Sequence, residues 1–237
     1  IMTGCPATPL ITSAFQRGRY KKWQPDEGYK AMKRNHEKGG MQAFDMNEEL
    51  DFYIKHGYCP NEAGLTIQWS FEDWTLGQMA KTLRKYKDEK YYTKRATGWP
   101  ASFHPGIGLI MPKEANGEWL HTNPMSEEGF VQANAWQATF GLSHDIPKLA
   151  QMMGGSDSLA SKLNYAFEQS TGKNFLFGRI SYANQPGCSS AHVFAHVGKP
   201  WLTLDCVRRV YDQTYSYITA ERGYTENDED QGQLGGV

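Results

Sequence analysis

Apolar residues recur with a helical period along this chain, and the alternation typical of β-strands is scarce. Between about Ala63 and Lys85 the apolar positions are three to five residues apart. This spacing predicts one long amphipathic helix, whose inward face is Ile67, Phe71, Trp74, Met79 and Leu83.

Three further helices are predicted in the second half of the chain. One follows Asp145 and is stopped by the Gly154-Gly155 pair, because glycine ends helices readily. The next is capped by Ser156 or Asp157. A long final helix begins at Pro200, a residue that suits the first turn, and carries Trp201, Leu204, Val207, Tyr211, Thr214 and Ile218.

Loops rich in Gly, Pro and Asn separate these helices, most clearly at residues 98–123, 178–190 and 223–232. Helices that alternate with such loops indicate stacked helical hairpins, with the chemistry gathered where the loops converge. The predicted fold class is therefore mainly α, and a parallel-sheet α/β enzyme is disfavoured.

The amino-acid composition argues against several classes of function. The 25 basic and 26 acidic residues are evenly spread, so there is no basic stripe for nucleic acid. No apolar run approaches the roughly 20 residues that span a bilayer. The four cysteines have no metal-binding spacing. Aromatic residues make up 13% of the chain, which suits rings that stack on sugars as well as on each other.

A dense group of carboxylates lies near the C-terminus, from Glu226 to Gln233. Most charge runs are solvated loops. Asp228 and Asp230, two apart between glycines, can also face one space and perturb each other's pKa. Such a pair serves either as a base with a supporting carboxylate or as ligands for a hard cation.

Two other polar groups stand out, and each also has an ordinary structural interpretation. Residues 129–137, followed by Ser143-His144-Asp145, also fit an amphipathic helix with local amide hydrogen bonds. Residues 182–187 also fit a simple turn. His192 and His196 lie four apart, but two ligands without others do not indicate zinc.

Taken in order, these groups resemble glycoside hydrolase family 92. Asn134 to Gly155 resembles the family's Gly-Asn-x-Trp-Gln segment, His-Asp pair and Gly-Gly helix stop. Asn184 to Pro186 and Gly198 to Trp201 resemble its Asn-x-Pro loop and Gly-Lys-Pro-Trp helix start. Asp228 to Gln233 matches its Asp-Glu-Asp-x-Gly-Gln loop, and Thr66 to Trp74 resembles its Thr-Leu-Glu-Tyr-x-x-Asp-Asp-Trp helix.

The resemblance covers essentially the whole chain and carries expectations about fold and activity. It implies that residues 1–237 are a fragment of an (α/α)6 toroid, with the family's N-terminal β-sandwich domain absent from this chain. That sandwich is an expected partner from the same parent protein. Family members are calcium-dependent, inverting exo-α-mannosidases that act on mannose-containing glycans and are mostly exported. A secreted, periplasmic or cell-surface location is therefore expected, although no signal is visible here.

The resemblance also assigns residues. Asp230 corresponds to the general base that activates water, and Asp228 is its partner carboxylate, as an inverting enzyme requires. Asn184, Gln185 and Asp228 are expected to hold Ca²⁺. The sugar pocket is expected to be lined or supported by Trp136, Asn134 and Asp73, with Gln185 beside the leaving group.

Gln132 departs from the family pattern, which has Glu here as the general acid. An amide can hydrogen-bond a leaving oxygen but has no proton to give. A phosphate monoester, whose second pKa is about 6, can leave as an anion without that proton. Gln185 likewise stands in place of another Glu. With these two amides, the chain therefore resembles a subset of the family that releases mannose from mannose-1-phospho-6-mannose groups.

Two alternatives stay open at this point. One is an ordinary exo-α-1,2-mannosidase whose proton comes from another acid, with Glu127 and Glu128 nearest in sequence. The other is a non-catalytic mannose-binding relative, although the Asp228–Asp230 pair argues against it because binding alone needs no base.

Overall fold

A computed structural model describes residues 4–19, 24–170, 178–182 and 184–215. The chain divides into two compact units, residues 1–103 with 112–121 and residues 104–111 with 122–237. Helices dominate both, so the mainly α prediction is confirmed. A two-stranded sheet pairs β1 (Phe103–His104) with β2 (Leu109–Ile110). No described helix is both long and apolar enough to cross a membrane.

In the part of the first unit that the structure describes there are five helices: α1 (Ala7–Gln16), α2 (Pro25–Asn35), α3 (Asn47–His56), α4 (Ala63–Thr82) and α5 (Tyr86–Ala96). A 3₁₀ turn at Trp99–Ser102 follows. Helix α4 is central and packs against α1, α2 and α5. Two buried apolar clusters surround it, one of Tyr29, Met32, Leu76, Met79, Ala80 and Tyr92, the other of Ala43, Leu50, Tyr53, Cys59, Leu65 and Trp69.

Helix α4 confirms the predicted position but corrects the predicted face. It is buried around most of its circumference, not along one stripe, because neighbouring helices cover several of its sides. Phe71 and Trp74, predicted to point inward, are only half-buried and stack on each other with ring centroids 6.2 Å apart. The buried positions include Ser70, Glu72 and Asp73, whose polar groups need partners within the protein.

Two glycines allow the ends of α3 and α5 to approach closely. Gly57 ends α3 with φ +85°, and a Cβ there would lie 2.8 Å from the Cα of Gly98, which follows α5. A side chain at either position would force the backbones apart, and at Gly57 the positive φ also favours glycine.

The described residues of the second unit form six helices: α6 (Ala135–Gly141), α7 (Ile146–Met152), α8 (Ser156–Ser170), α9 (Gln185–Cys188), α10 (Val193–His196) and α11 (Pro200–Val210). A 3₁₀ turn at Ser190–His192 precedes α10, and a π turn at Tyr211–Tyr215 follows α11. The rings of Phe167, Tyr182 and Phe194 pack at tilted angles in its core, with centroid distances of 6.4 and 6.0 Å from Phe167 to the other two.

The predicted helices α7, α8 and α11 are confirmed in the described residues. The predicted cap of α8 is wrong by one position, because Ser156 is already the first helical residue and follows Gly155 at φ +118°. The predicted loop at 178–190 contains the short helix α9. Residues 129–137 are not one helix, because α6 begins only at Ala135. The predicted loop at 223–232 and Ile218 lie outside the described residues.

Candidate active site

Gln132, at the position of the expected acid, has an unusual backbone. Its φ is +50°, in the left-handed region that residues with a Cβ adopt at a cost of about 1–2 kcal/mol. The amide Nδ2 of Asn184 donates to its carbonyl oxygen at 2.8 Å. The Gln132 residue itself is exposed. Strained backbone persists where surrounding contacts hold it, and it is concentrated at functional sites.

Asn134 caps helix α6. Its Oδ1 accepts from the backbone N–H groups of Trp136 at 3.0 Å and Gln137 at 3.2 Å, which satisfies two donors that the first turn leaves open. Its Nδ2 donates to the carbonyl oxygen of Gly178 at 2.8 Å, and Gln137 Nε2 donates to the same oxygen at 2.8 Å. Asn134 therefore fixes α6 to the segment that begins at Gly178, and it acts as a support in this geometry.

Trp136 is 7% exposed, so its indole is covered and not an open platform. Lys162 Nζ lies 5.3 Å and Arg179 Cζ 5.4 Å from its ring centroid, and the Tyr165 ring lies at 5.9 Å. Lys162 also donates to the carbonyl oxygen of Ile107 at 2.7 Å. Trp136 is thus a covered ring around which Lys162, Arg179 and Tyr165 pack.

Asp73 lies in the first unit, fully buried in a network of polar side chains. Its Oδ2 accepts from Arg95 Nε at 2.7 Å and from the Tyr53 hydroxyl at 3.1 Å. Its Oδ1 lies 2.8 Å from His36 Nδ1 and accepts from Gln42 Nε2 at 3.2 Å. Both carboxylate oxygens are therefore occupied by protein groups, which places Asp73 as a support within its own unit.

Glu72, beside Asp73, is 2% exposed. Its Oε1 accepts from the backbone N–H of Cys5 at 2.6 Å and from Gln68 Nε2 at 3.3 Å. Burial raises the pKa of Glu72 to about 8, although these hydrogen bonds act in the opposite direction. A carboxyl that holds its proton near neutral pH therefore adjoins one that is paired with Arg95.

The remaining predicted residues lie outside the described part of the structure. Asp228 and Asp230 belong to this group, and so does the side chain of Gln185, whose backbone begins α9. In the described ranges there is no group of three or more His, Cys, Asp or Glu that could hold a metal. Amide and carboxylate oxygens suit Ca²⁺, so the donor chemistry of Asn184, Gln185 and Asp228 fits that ion.

Sequence reasoning missed Arg95, His36 and Gln42, the partners of Asp73, and also Lys162 and Arg179 around Trp136. These contacts join residues 22 to 59 positions apart, and no local spacing marks them. The N-cap role of Asn134 was predictable from the sequence, because Asn is a preferred N-cap residue directly before an apolar helical segment.

Comparisons with known proteins agree with this fold. An inverting family GH92 mannosidase from Bacteroides thetaiotaomicron superposes with a TM-score of 0.78 at 20% identity, over 91% of this chain and 32% of that one. A family GH92 α-mannosidase from the same organism gives 0.79 at 19% identity, over 95% and 30%.

Among curated proteins, a secreted glycosidase of Arthroderma benhamiae, itself uncharacterised, is 23% identical over 64% of this chain and 22% of its own length. The chain thus spans about a third or less of the relatives that it matches.

The model of the glycosyl hydrolase family 92 catalytic domain matches residues 1–237, the full length of the sequence. The chain belongs to glycosyl hydrolase family 92, as part of its catalytic domain.

Proposed function

We propose that this chain belongs to a calcium-dependent, inverting glycosidase that releases α-linked mannose from a mannose-phosphate diester. The observation that carries the proposal is Gln132. Its strained backbone is held by Asn184, and its side chain is an amide, which has no proton to give to a leaving alkoxide.

The leaving group decides whether that proton is needed. When the bond between mannose C1 and a phosphate oxygen breaks, the oxygen keeps the electron pair and departs as part of a phosphate monoester. Because the second pKa of such a monoester is about 6, it is a stable anion at neutral pH. Gln132 can donate an amide N–H to that oxygen, and an amide avoids the repulsion that a carboxylate would exert.

The water that attacks C1 must lose a proton, so the reaction needs a general base. We assign this role to Asp230, with Asp228 beside it: Asp230 takes a proton from the water whose oxygen forms the new bond to C1, so the configuration inverts. Asn184, Gln185 and Asp228 would hold Ca²⁺, which supplies positive charge to orient the sugar hydroxyls. Asn134 and Trp136 support the loop of Gln132, and Asp73 stabilises its own unit.

The wider assignments rest on the same family membership. The partner is a mannose-containing glycan, and residues 1–237 form part of the (α/α)6 domain that works with a β-sandwich in the same protein. The Arthroderma benhamiae relative is described as secreted, which supports a secreted, periplasmic or cell-surface location.

The test uses the full-length protein that carries this chain, with calcium and mannose-α-1-phospho-6-mannose. We expect Asp230→Asn to abolish mannose release and Gln132→Ala to keep a substantial part of it. Loss of all turnover in Gln132→Ala would show that the amide, or a proton route through it, is essential, and would contradict the proposal. Binding of mannose by the parent protein without turnover of any mannoside would instead identify a mannose-binding relative.

A further inference from the structure

Trp136, Lys162, Tyr165 and Arg179 form a cluster in the second unit, which we call the Trp136 cluster. Two cations lie over one indole, with Lys162 Nζ at 5.3 Å and Arg179 Cζ at 5.4 Å from the ring centroid. Arg179 also lies 5.2 Å from the ring of Tyr165, which is 44% exposed. The cluster is therefore cationic, aromatic and open to solvent on the side of Tyr165.

Within the described ranges, no Asp or Glu lies within 4.0 Å of Lys162 or Arg179, whereas six other Lys and Arg side chains are ion-paired. Lys199 is the useful comparison, because it also lies over a tryptophan, Trp201, at 5.5 Å, yet pairs with Asp157 at 2.9 Å. Packing on an indole thus occurs here both with and without a carboxylate.

The cluster also holds donors that lack acceptors. Trp136 Nε1 and Arg179 Nε are buried and make no hydrogen bond to any described residue. The ammonium of Lys162 donates to Ile107 at 2.7 Å and has further protons to give. Buried donors are normally satisfied by an acceptor, because leaving one open destabilises the protein. Three donors on two cations and an indole match a ligand with several acceptor oxygens and negative charge.

The position of the cluster connects it to Gln132. Arg179 directly follows Gly178, whose carbonyl oxygen accepts from both Asn134 and Gln137. The same short stretch of chain ends at Asn184, which holds the backbone of Gln132. An anion bound at Arg179 would therefore lie on the segment that positions Gln132.

We propose that Trp136, Lys162 and Arg179 form a binding site for a phosphate oxyanion. The inference rests on the proposed function in taking the phosphate to be that of the glycan substrate or of the phosphate monoester product. A guanidinium N–H, an ammonium and an indole N–H donate to its oxygens, and the charge-assisted bonds supply most of the affinity. Free inorganic phosphate has the same chemistry, so the experiment must separate the two sources.

The experiment measures binding by calorimetry to the full-length protein, with mannose 6-phosphate, inorganic phosphate and mannose as three separate probes. The variants are Arg179→Gln, Lys162→Met and Trp136→Phe. The Trp136→Phe variant keeps an aromatic ring but lacks the indole N–H donor. Lys199→Met is the matched control, a lysine over tryptophan that already has a carboxylate. Thermal unfolding midpoints are recorded for every variant.

We expect Arg179→Gln and Lys162→Met each to weaken mannose 6-phosphate on the order of tenfold, with mannose and the Lys199→Met control unchanged. Binding of mannose 6-phosphate should also weaken as salt rises. A comparable loss for inorganic phosphate identifies the phosphate group alone as the ligand, and a loss confined to mannose 6-phosphate identifies the glycan phosphate. Unchanged affinity for both phosphates in the two charge variants, which alter the cluster independently, would overturn the site.

Turnover of mannose-α-1-phospho-6-mannose by the parent protein separates this inference from the proposed function. If the parent cleaves the diester and the charge variants bind and cleave like the parent, the site is wrong and the function stands. If the parent does not cleave the diester but binds mannose 6-phosphate through Arg179, the function is wrong and the site stands.

Discussion

The side-chain amide of Asn184 donates a hydrogen bond of 2.8 Å to the backbone carbonyl oxygen of Gln132, which has φ +50°. The bond joins residues 52 positions apart and fixes the one residue that departs from the expected acid. Asn184 was expected from the sequence to be a calcium ligand. Its Nδ2 is used in this contact, and its Oδ1 is the atom with which it could bind a cation.

Asn184→Asp replaces the donor with an acceptor of the same shape, so the carbonyl of Gln132 loses its partner. We expect kcat on the phosphodiester to fall about tenfold, because a lost hydrogen bond to a held loop costs about 1 kcal/mol or more. The measurement is kcat over a calcium titration. If the fall in kcat disappears at saturating calcium, Asn184 acts only through the ion, and its role in holding Gln132 is refuted.

Gln132→Gly and Gln132→Ala separate backbone strain from side-chain chemistry. Both remove the amide, but glycine adopts φ +50° without the Cβ penalty. We expect the glycine variant to be more stable than the alanine variant by about 0.5–1 kcal/mol, less the larger chain entropy that glycine loses on folding. Urea unfolding of the two proteins measures this difference, and a less stable glycine variant would show that the left-handed backbone is not strained.

Asp73→Asn is expected to destabilise the first unit strongly. The change leaves Arg95 as a buried cation without its carboxylate, which typically costs about 3–5 kcal/mol. Asp51→Asn is the matched control, because its pair with Lys38 is exposed and such pairs contribute about 0.2–1 kcal/mol. The unfolding midpoint in urea compares the two. Equal small losses would mean that Asp73 does not support the unit as described.

Protonation of Glu72 is expected to make the free energy of unfolding depend on pH. Its folded pKa of about 8 lies above its value in the unfolded chain, so the folded state holds the proton more tightly between those values. Its contribution is therefore fully present at low pH and is lost as pH rises through about 8. Glu72→Gln keeps the shape without titrating, and we expect its stability to fall less than that of the parent between pH 5 and 8.

Thermal unfolding at a series of pH values makes that comparison. Because other groups also titrate in this range, the informative quantity is the difference between parent and Glu72→Gln at each pH. A difference that does not change with pH would show that Glu72 is not protonated in the folded protein.

The helices were predictable where local chemistry decides their ends. Gly154-Gly155 stops α7, Pro200 opens α11, and the predicted limits of α4 differ from the observed Ala63–Thr82 mainly at its C-terminal end. Their burial was less predictable. Phe71 and Trp74 look like core positions in sequence, yet Glu72 and Asp73 are more deeply buried, because α4 is surrounded and their carboxyl groups find partners far away in the sequence.

In the candidate site, too, local motifs were predictable from the sequence and long-range contacts were not. The Gln132, Asn134 and Asn184 segments were marked by motif and order. The side chain of Asn184 bonds to the backbone of Gln132, and that of Asn134 bonds to the backbone of Gly178. That Asn134 caps α6 and that Trp136 is covered by Lys162 and Arg179 depends on packing between residues far apart in sequence. The proposed base, Asp230, stays a prediction from sequence.

The most direct test of the account measures mannose release by the full-length protein, with calcium, from mannose-α-1-phospho-6-mannose and from α-1,2-mannobiose. We predict a strong preference for the phosphodiester, because Gln132 cannot protonate the alkoxide that mannobiose must release. A preference for mannobiose would contradict the account: another group, with Glu127 or Glu128 the nearest in sequence, would then supply the proton, and the protein would be an ordinary exo-α-mannosidase.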